Sequence, residues 1–233
     1  MLTLDVADVR SGYGRTEVLH GVNLRVPAGR AVALLGSNGA GKSTLLKTIA
    51  GLVPTRAGSI RLEGAPVERR PGHFRARAGI CLIPEGRGIF RRLSVYENLA
   101  MHAGKRDIDQ AIERTVSLFP ILGERLTQLA GTLSGGQQQM LALARALVSD
   151  PKLVMADELS VGLAPVVVDE ILEAITVLRA EGRSLLIVEQ YVRRAVELAD
   201  YVYILHKGEI VFAGEPAQCA SGVVFQRYLG GAA

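Results

Sequence analysis

The residues best equipped for chemistry lie at positions 36–44, Gly36-Ser37-Asn38-Gly39-Ala40-Gly41-Lys42-Ser43-Thr44, with the spacing GxxxxGK[ST]. Glycines at these intervals let the backbone curl so that successive N–H groups point into one concavity, the shape that holds phosphate. Lys42 can reach the terminal phosphates, and the Ser43 hydroxyl suits Mg²⁺. An apolar run, AVALLG (31–36), leads into the turn. A stretch with apolar residues at helical spacing, KSTLLKTIAGL (42–52), leads out and adds the positive end of a helix dipole. Residues 36–44 are therefore expected to bind the phosphates of a nucleotide.

Such a site needs acid opposite the phosphates, and LVMADE (153–158) supplies it at the end of an apolar strand. Asp157 would hold the metal's water shell, and Glu158 would orient or deprotonate an attacking water. Alone, an acid pair at a strand end fits a solvated loop equally well; the cradle gives it a use. A third acid, Glu85, ends the apolar run GICLIP (79–84). A carboxylate facing bare phosphate is repelled, by about 1 kcal/mol for unit charges 4 Å apart in water. Facing Mg²⁺ the sign reverses, because hard cations favour carboxylate oxygen, so Glu85 is expected to reach the metal directly or through water. Finally, Leu133-Ser134-Gly135-Gly136-Gln137 opens an amphipathic helix about twenty residues before Asp157. A helix tip of serine and two glycines presents unpaired N–H groups, a second anion-binding surface. A chain with its own cradle has no need of it, so it suits a second subunit's nucleotide. A plain helix cap by Ser134 is compatible with that use.

These residues have to be positioned by alternating elements. AVALLG, GICLIP, KLVMAD (152–157), SLLIVE (184–189) and YVYIL (201–205) read as strands apolar on both faces, the pattern of a parallel sheet covered by helices. VVVDEILEAITVLRAEG (166–182) reads as a helix stopping at Gly182. Residues 1–30 and 58–70 carry short alternating strands with turn signals and read as a small antiparallel sheet. Residues 91–150 hold helical stretches and no good strand. The fold expected is α/β: a P-loop NTPase core with a small antiparallel β part and an inserted α-helical part.

Composition bounds the rest. The 233 residues are 48% apolar, ample for a packed interior, and carry a mild excess of +4. That excess fits an ordinary surface, a phosphate-rich ligand or an anionic membrane face, and no block of like charge reads as a nucleic-acid tail. Cys81 and Cys219 match no zinc or redox spacing and suit a reducing cytosol. The N-terminal stretch has no signal-peptide pattern, and no run approaches the ~18 apolar residues a membrane helix needs. A soluble chain able to dock on a membrane protein is expected.

The cradle, the DE strand and LSGGQ occur together and in order, and in this the chain resembles the ATP-binding cassette (ABC) family over essentially its whole length. The resemblance implies one ABC ATPase domain over 1–233. Its antiparallel part is 1–30 and 58–70, its nucleotide-binding core 31–57, 71–90 and 151–215, its helical part 91–150, and its tail 216–233. It implies ATP and Mg²⁺ as ligands, Tyr13 stacked on adenine, and two cassettes closing two ATPs between them, each cradle capped by the other chain's Ser134, Gly135, Gly136 and Gln137. Most such cassettes have glutamine where Glu85 stands, histidine where Gln190 stands, and proline and aspartate where Leu159 and Ala164 stand. Gln190 keeps an N–H₂ donor for a γ-phosphate oxygen, so slower or more tightly coupled turnover is expected rather than none. Leu159 is expected to loosen the turn after the acids.

Glu85, Gln190 and Ala164, with PEGRGIF, SVGLAP, LIVEQY and the terminal YLGG, look like the LivF-type ATPase subunit of branched-chain (hydrophobic) amino-acid importers, from which Leu159 departs, proline being typical there too. Such importers join this subunit to a second ATPase, two membrane-spanning permeases and an external solute-binding protein, at the cytoplasmic face of the membrane. A heterodimer of ATPases is implied, with a homodimer as the alternative. The segment GRGIFRRLSV, with Arg87, Arg91 and Arg92, would line the groove that receives a permease. The same ATPase role in a urea or short-amide importer is an alternative. A non-transport cassette on DNA or ribosomes, or a nucleotide clamp with little hydrolysis, is a more distant one.

Overall fold

The computed structural model describes residues 1–103, 107–189 and 192–220. Two strands, β1 (Leu2–Tyr13) and β2 (Thr16–Pro27), form a hairpin, and β3 (Ala31–Leu35) enters the core and delivers the chain to helix α1 (Lys42–Ala50). Strands β4 (Thr55–Leu62) and β5 (Ala65–Pro66) return to the hairpin, followed by α2 (Gly72–Ala78) and β6 (Ile80–Ile83). Four helices come next: α3 (Val95–Ala103), α4 (Ile108–Leu118), α5 (Pro120–Gly123) and α6 (Gly135–Ser149). The chain ends its described course with β7 (Leu153–Asp157), α7 (Pro165–Ala180), β8 (Ser184–Val188), α8 (Val192–Leu198), β9 (Tyr201–His206), β10 (Glu209–Gly214) and α9 (Pro216–Ala220).

The strands form two sheets. One is antiparallel in the order β2-β1-β4-β5; the other runs β10-β9-β3-β8-β7-β6, parallel except for the β10–β9 edge hairpin. Strands β3, β7 and β8 are buried along their whole length. Their alternate residues feed two different cores. Leu153, Met155, Leu186 and Val188 pack with α1 and the antiparallel sheet. Val154, Ala156, Leu185 and Ile187 pack with α6 and α7 on the other side. This two-faced burial is why the sequence runs are continuously apolar rather than alternating.

Several sequence expectations change in detail. The hairpin strands are twelve residues each rather than short, and register shifts along β1 absorb their twist. Strand β4 begins at Thr55, ahead of the antiparallel stretch read from position 58. Helix α2 and edge strand β10 were not visible in the pattern. In α2 the buried position is Arg75, whose guanidinium donates to the carbonyls of Thr48, Ile49, Glu68 and Arg70, so a charge fills the place where an apolar residue would signal a helix. Gln190 and the terminal YLGG lie outside the described residues. Among those described, no helix is long and apolar enough to cross a membrane.

Candidate nucleotide site

The cradle is built where β3 stops. Gly36 has φ 154, and a Cβ there would lie 2.3 Å from the Leu205 carbonyl oxygen of β9, so glycine alone lets the turn pass this close to the sheet. Gly41 precedes α1 with φ 108, and the Leu45 amide closes onto its carbonyl at 2.9 Å. The amides at the helix start therefore open toward a cleft of about 310 Å³ lined by Val18, Asn38, Gly39, Gly41, Lys42, Ser43, Thr44, Glu85 and Glu158.

Lys42 is 5% exposed; its ammonium donates to the carbonyls of Gly36 (2.9 Å) and Ser37 (3.2 Å) and lies 3.8 Å from Glu158 Oε1. Strand β7 brings the acids alongside: Ser43 Oγ donates to Asp157 Oδ1 at 3.2 Å. Burial pushes the Asp157 carboxyl above its usual range, against the Ser43 hydrogen bond, and the Glu85 charge adds to the rise. Burial also raises Glu158, opposed by Lys42 and assisted by Glu85 and Asp157. Burial of Asp157 and Glu158 beside Lys42 thus disfavours their charged forms, which added positive charge in the cleft would favour.

This arrangement fits an anion and a hard cation together. The amides and Lys42 suit phosphate, while the Ser43 hydroxyl and the carboxylates are hard oxygen donors. Among the described residues no group of three His, Cys, Asp or Glu side chains could hold a metal alone.

The structure brings Glu85 to the cleft with residues from the cradle and Glu158, over more than seventy positions of sequence. Tyr13 stands at the turn of the β1–β2 hairpin, 49% exposed, and is not among the lining residues. Val18 lines the cleft, and no sequence signal marked it. Residues 134–137 also lie apart from the cleft lining. There Ser134 caps α6, with Oγ accepting from the Gln137 amide (3.3 Å) and Gln137 Oε1 accepting from the Ser134 amide (3.1 Å). The Ser134 cap weighed from the sequence is present, as a capping box that takes up two N–H groups and the Gln137 side chain. It leaves the amides of Gly135 and Gly136 as the first-turn donors without an intrahelical partner. A Cβ on Gly136 would meet the Val167 side chain at 2.8 Å, whereas one on Gly135 would meet only the mobile end of Arg87, at 3.0 Å.

The turn after Glu158 carries Leu159. That side chain is 1% exposed in the core, and Ser160 behind it donates to Glu189 at 2.5 Å. Arg87 Nη1 donates to the neutral Gln138 side chain at Oε1, 2.6 Å away, which ties the Glu85 loop to α6. Arg91 and Arg92 are exposed, next to Phe90 at 45% exposure.

The geometry finds counterparts among known proteins. The sequence profile described as "ABC transporter" matches residues 19–161. The high-affinity branched-chain amino acid transport ATP-binding protein BraG of Pseudomonas aeruginosa is 45% identical, over 99% of this chain and all of its own length. A probable branched-chain amino acid transport ATP-binding protein, LivF of Archaeoglobus fulgidus, is 36% identical over 91% of each chain. Among solved structures, an ATP-binding subunit of an ABC transporter superposes with a TM-score of 0.83 at 30% identity, covering 91% of this chain and 90% of that one. A profile spanning cradle, signature and acid strand, whole-length relatives and a shared fold converge: the chain belongs to the ABC transporter family, as an ATPase of its nucleotide-binding subunits.

Proposed function

We propose that this ATPase works at the cytoplasmic face of a membrane and powers import of branched-chain or other hydrophobic amino acids. The observation that carries the catalytic part is the convergence of Lys42, Glu158 and the Ser43–Asp157 pair on one cleft. Lys42 and the amides of residues 36–44 bind the phosphates of ATP. Ser43, Asp157 and Glu85 would hold Mg²⁺, which would neutralise charge on the phosphate oxygens. Glu158 takes a proton from the attacking water as that oxygen bonds the γ-phosphorus, and the bond to the bridging oxygen breaks to release ADP. Gln190, outside the described residues, is assigned the donor to a γ-phosphate oxygen from its side-chain chemistry alone, and Tyr13 is assigned the adenine.

The tip at Ser134, Gly135 and Gly136 serves a second ATPase subunit's nucleotide, with Gln137 stiffening it through the capping box. Two permeases dock beside Arg91, Arg92 and Phe90, and an external binding protein delivers the solute. Support for the amino-acid class comes from the 45% identity to a branched-chain amino acid transport subunit over the full length. In the purified complex, Glu158→Gln is expected to cut hydrolysis by about 10²–10⁴-fold while ATP still binds. Co-purification with permeases and stimulation by leucine or isoleucine complete the test. Hydrolysis by Glu158→Gln at the normal rate defeats the base assignment; stimulation by urea or short amides alone defeats the solute.

A further inference from the structure

Glu189 has no role in the account above, yet its carboxylate is 5% exposed at the end of β8. A carboxylate is rarely buried unless donors surround it. Here the Ser160 hydroxyl donates to Oε2 at 2.5 Å, and the backbone amides of Leu159 and Ser160 face the same group. These donors belong to the turn that begins at Glu158. The β7–β8 ladder ends at Asp157 opposite Val188, and the Glu158 amide still donates to the Val188 carbonyl at 2.9 Å. Glu158 itself has φ 51, a left-handed conformation that costs a residue with a Cβ about 1–2 kcal/mol. Something must hold it there. The ladder clamps it on one side, and Glu189 clamps the two residues that follow.

We propose that Glu189 is a positioning residue for Glu158: its carboxylate grips the turn at 159–160 and so aims the base into the cleft. The inference rests on Glu158 being the base. A carboxylate is suited to the task because it only accepts, and the backbone groups that face it only donate. Glutamine in its place keeps one acceptor oxygen and turns an N–H₂ toward the remaining donors. A base displaced by an ångström loses on the order of 10²-fold in rate.

The test compares wild type with Glu189→Gln, Glu189→Asp, Ser160→Ala, Glu158→Gln and the double variant Glu158→Gln/Glu189→Gln, each in the complete transporter. Glu189→Gln should lower kcat by about 10–100-fold with the KM for ATP changed by less than about twofold. Glu189→Asp, still acceptor-only, should recover part of the loss, and Ser160→Ala should lose part. In the Glu158→Gln background, Glu189→Gln should add nothing further. A normal kcat in Glu189→Gln, or an equal further fall in the double variant, overturns the proposal. So does a loss confined to KM. If Glu189→Gln does not fold, hydrogen exchange in the wild-type chain decides: the Leu159 and Ser160 amides should be protected, and free exchange at both overturns the idea. Normal turnover in Glu158→Gln would instead remove the base assignment, an outcome readable separately from a failure at Glu189.

Discussion

Replacing Gly36 with alanine probes how the cradle depends on its contact with the sheet. The new Cβ would lie 2.3 Å from the Leu205 carbonyl oxygen and 3.2 Å from the Ala40 Cβ. Ordinary contact requires about 1 Å of retreat, and the Leu205 carbonyl is fixed within a paired strand, so the turn must give way. That movement stretches the 2.9 Å bond from Lys42 to the Gly36 carbonyl and shifts the phosphate-facing amides with it. A displacement of this size is expected to weaken nucleotide binding by about 10²-fold, or about 2.7 kcal/mol. Overpacking should cost about 1–3 kcal/mol of stability. Gly64→Ala serves as control: φ is 82 and no atom lies within 4 Å, so only backbone strain of about 1–2 kcal/mol applies, with no change in affinity. Titration of the purified chain with a fluorescent ATP analogue, alongside thermal unfolding, measures both. Unchanged affinity in a folded Gly36→Ala variant would refute the reasoning.

Three more outcomes can be checked together. Arg75→Leu strips donors from the carbonyls of Thr48 and Ile49 at the end of the cradle helix, and chemical denaturation should show a loss of about 3–5 kcal/mol. Burial depresses His102 from 6.5 to about 4, helped by Arg145. Below pH 6.5 the unfolded chain therefore takes a proton that the folded chain refuses until about pH 4, and stability falls across that window. His102→Asn should flatten that fall in melting curves recorded against pH. Glu85→Gln should raise the Mg²⁺ concentration needed for half-maximal ATPase activity more than it changes ATP affinity, and superimposable Mg²⁺ titrations would exclude metal contact.

Legibility in the sequence followed the distance over which each feature is built. The capping box at Ser134 and Gln137 was there to be read, since serine followed three residues later by glutamine before an apolar run is its pattern. The buried Arg75 hid helix α2 because solvation rules expect a charge outside, and its four carbonyl partners come from separate parts of the chain. Val18 reached the cleft only through the packing of the β1–β2 hairpin against the start of α1, where Gly41 faces Val18 and Leu19.

What the sequence determined by itself is the local structure: the glycine-rich turn, the acid-ended strand and the serine-glycine helix tip, all made by contiguous backbone whose conformation its own residue types dictate. Tertiary structure alone decided which of these meet. Parallel pairing of β7 with β8 sets Glu158 beside Val188 and Glu189, and packing of β7 near α1 sets Asp157 against Ser43. It also attached Arg87 to Gln138, which ties the Glu85 loop to α6. Such contacts join residues tens of positions apart, and no spacing rule in one dimension encodes a distance that only the folded sheet creates.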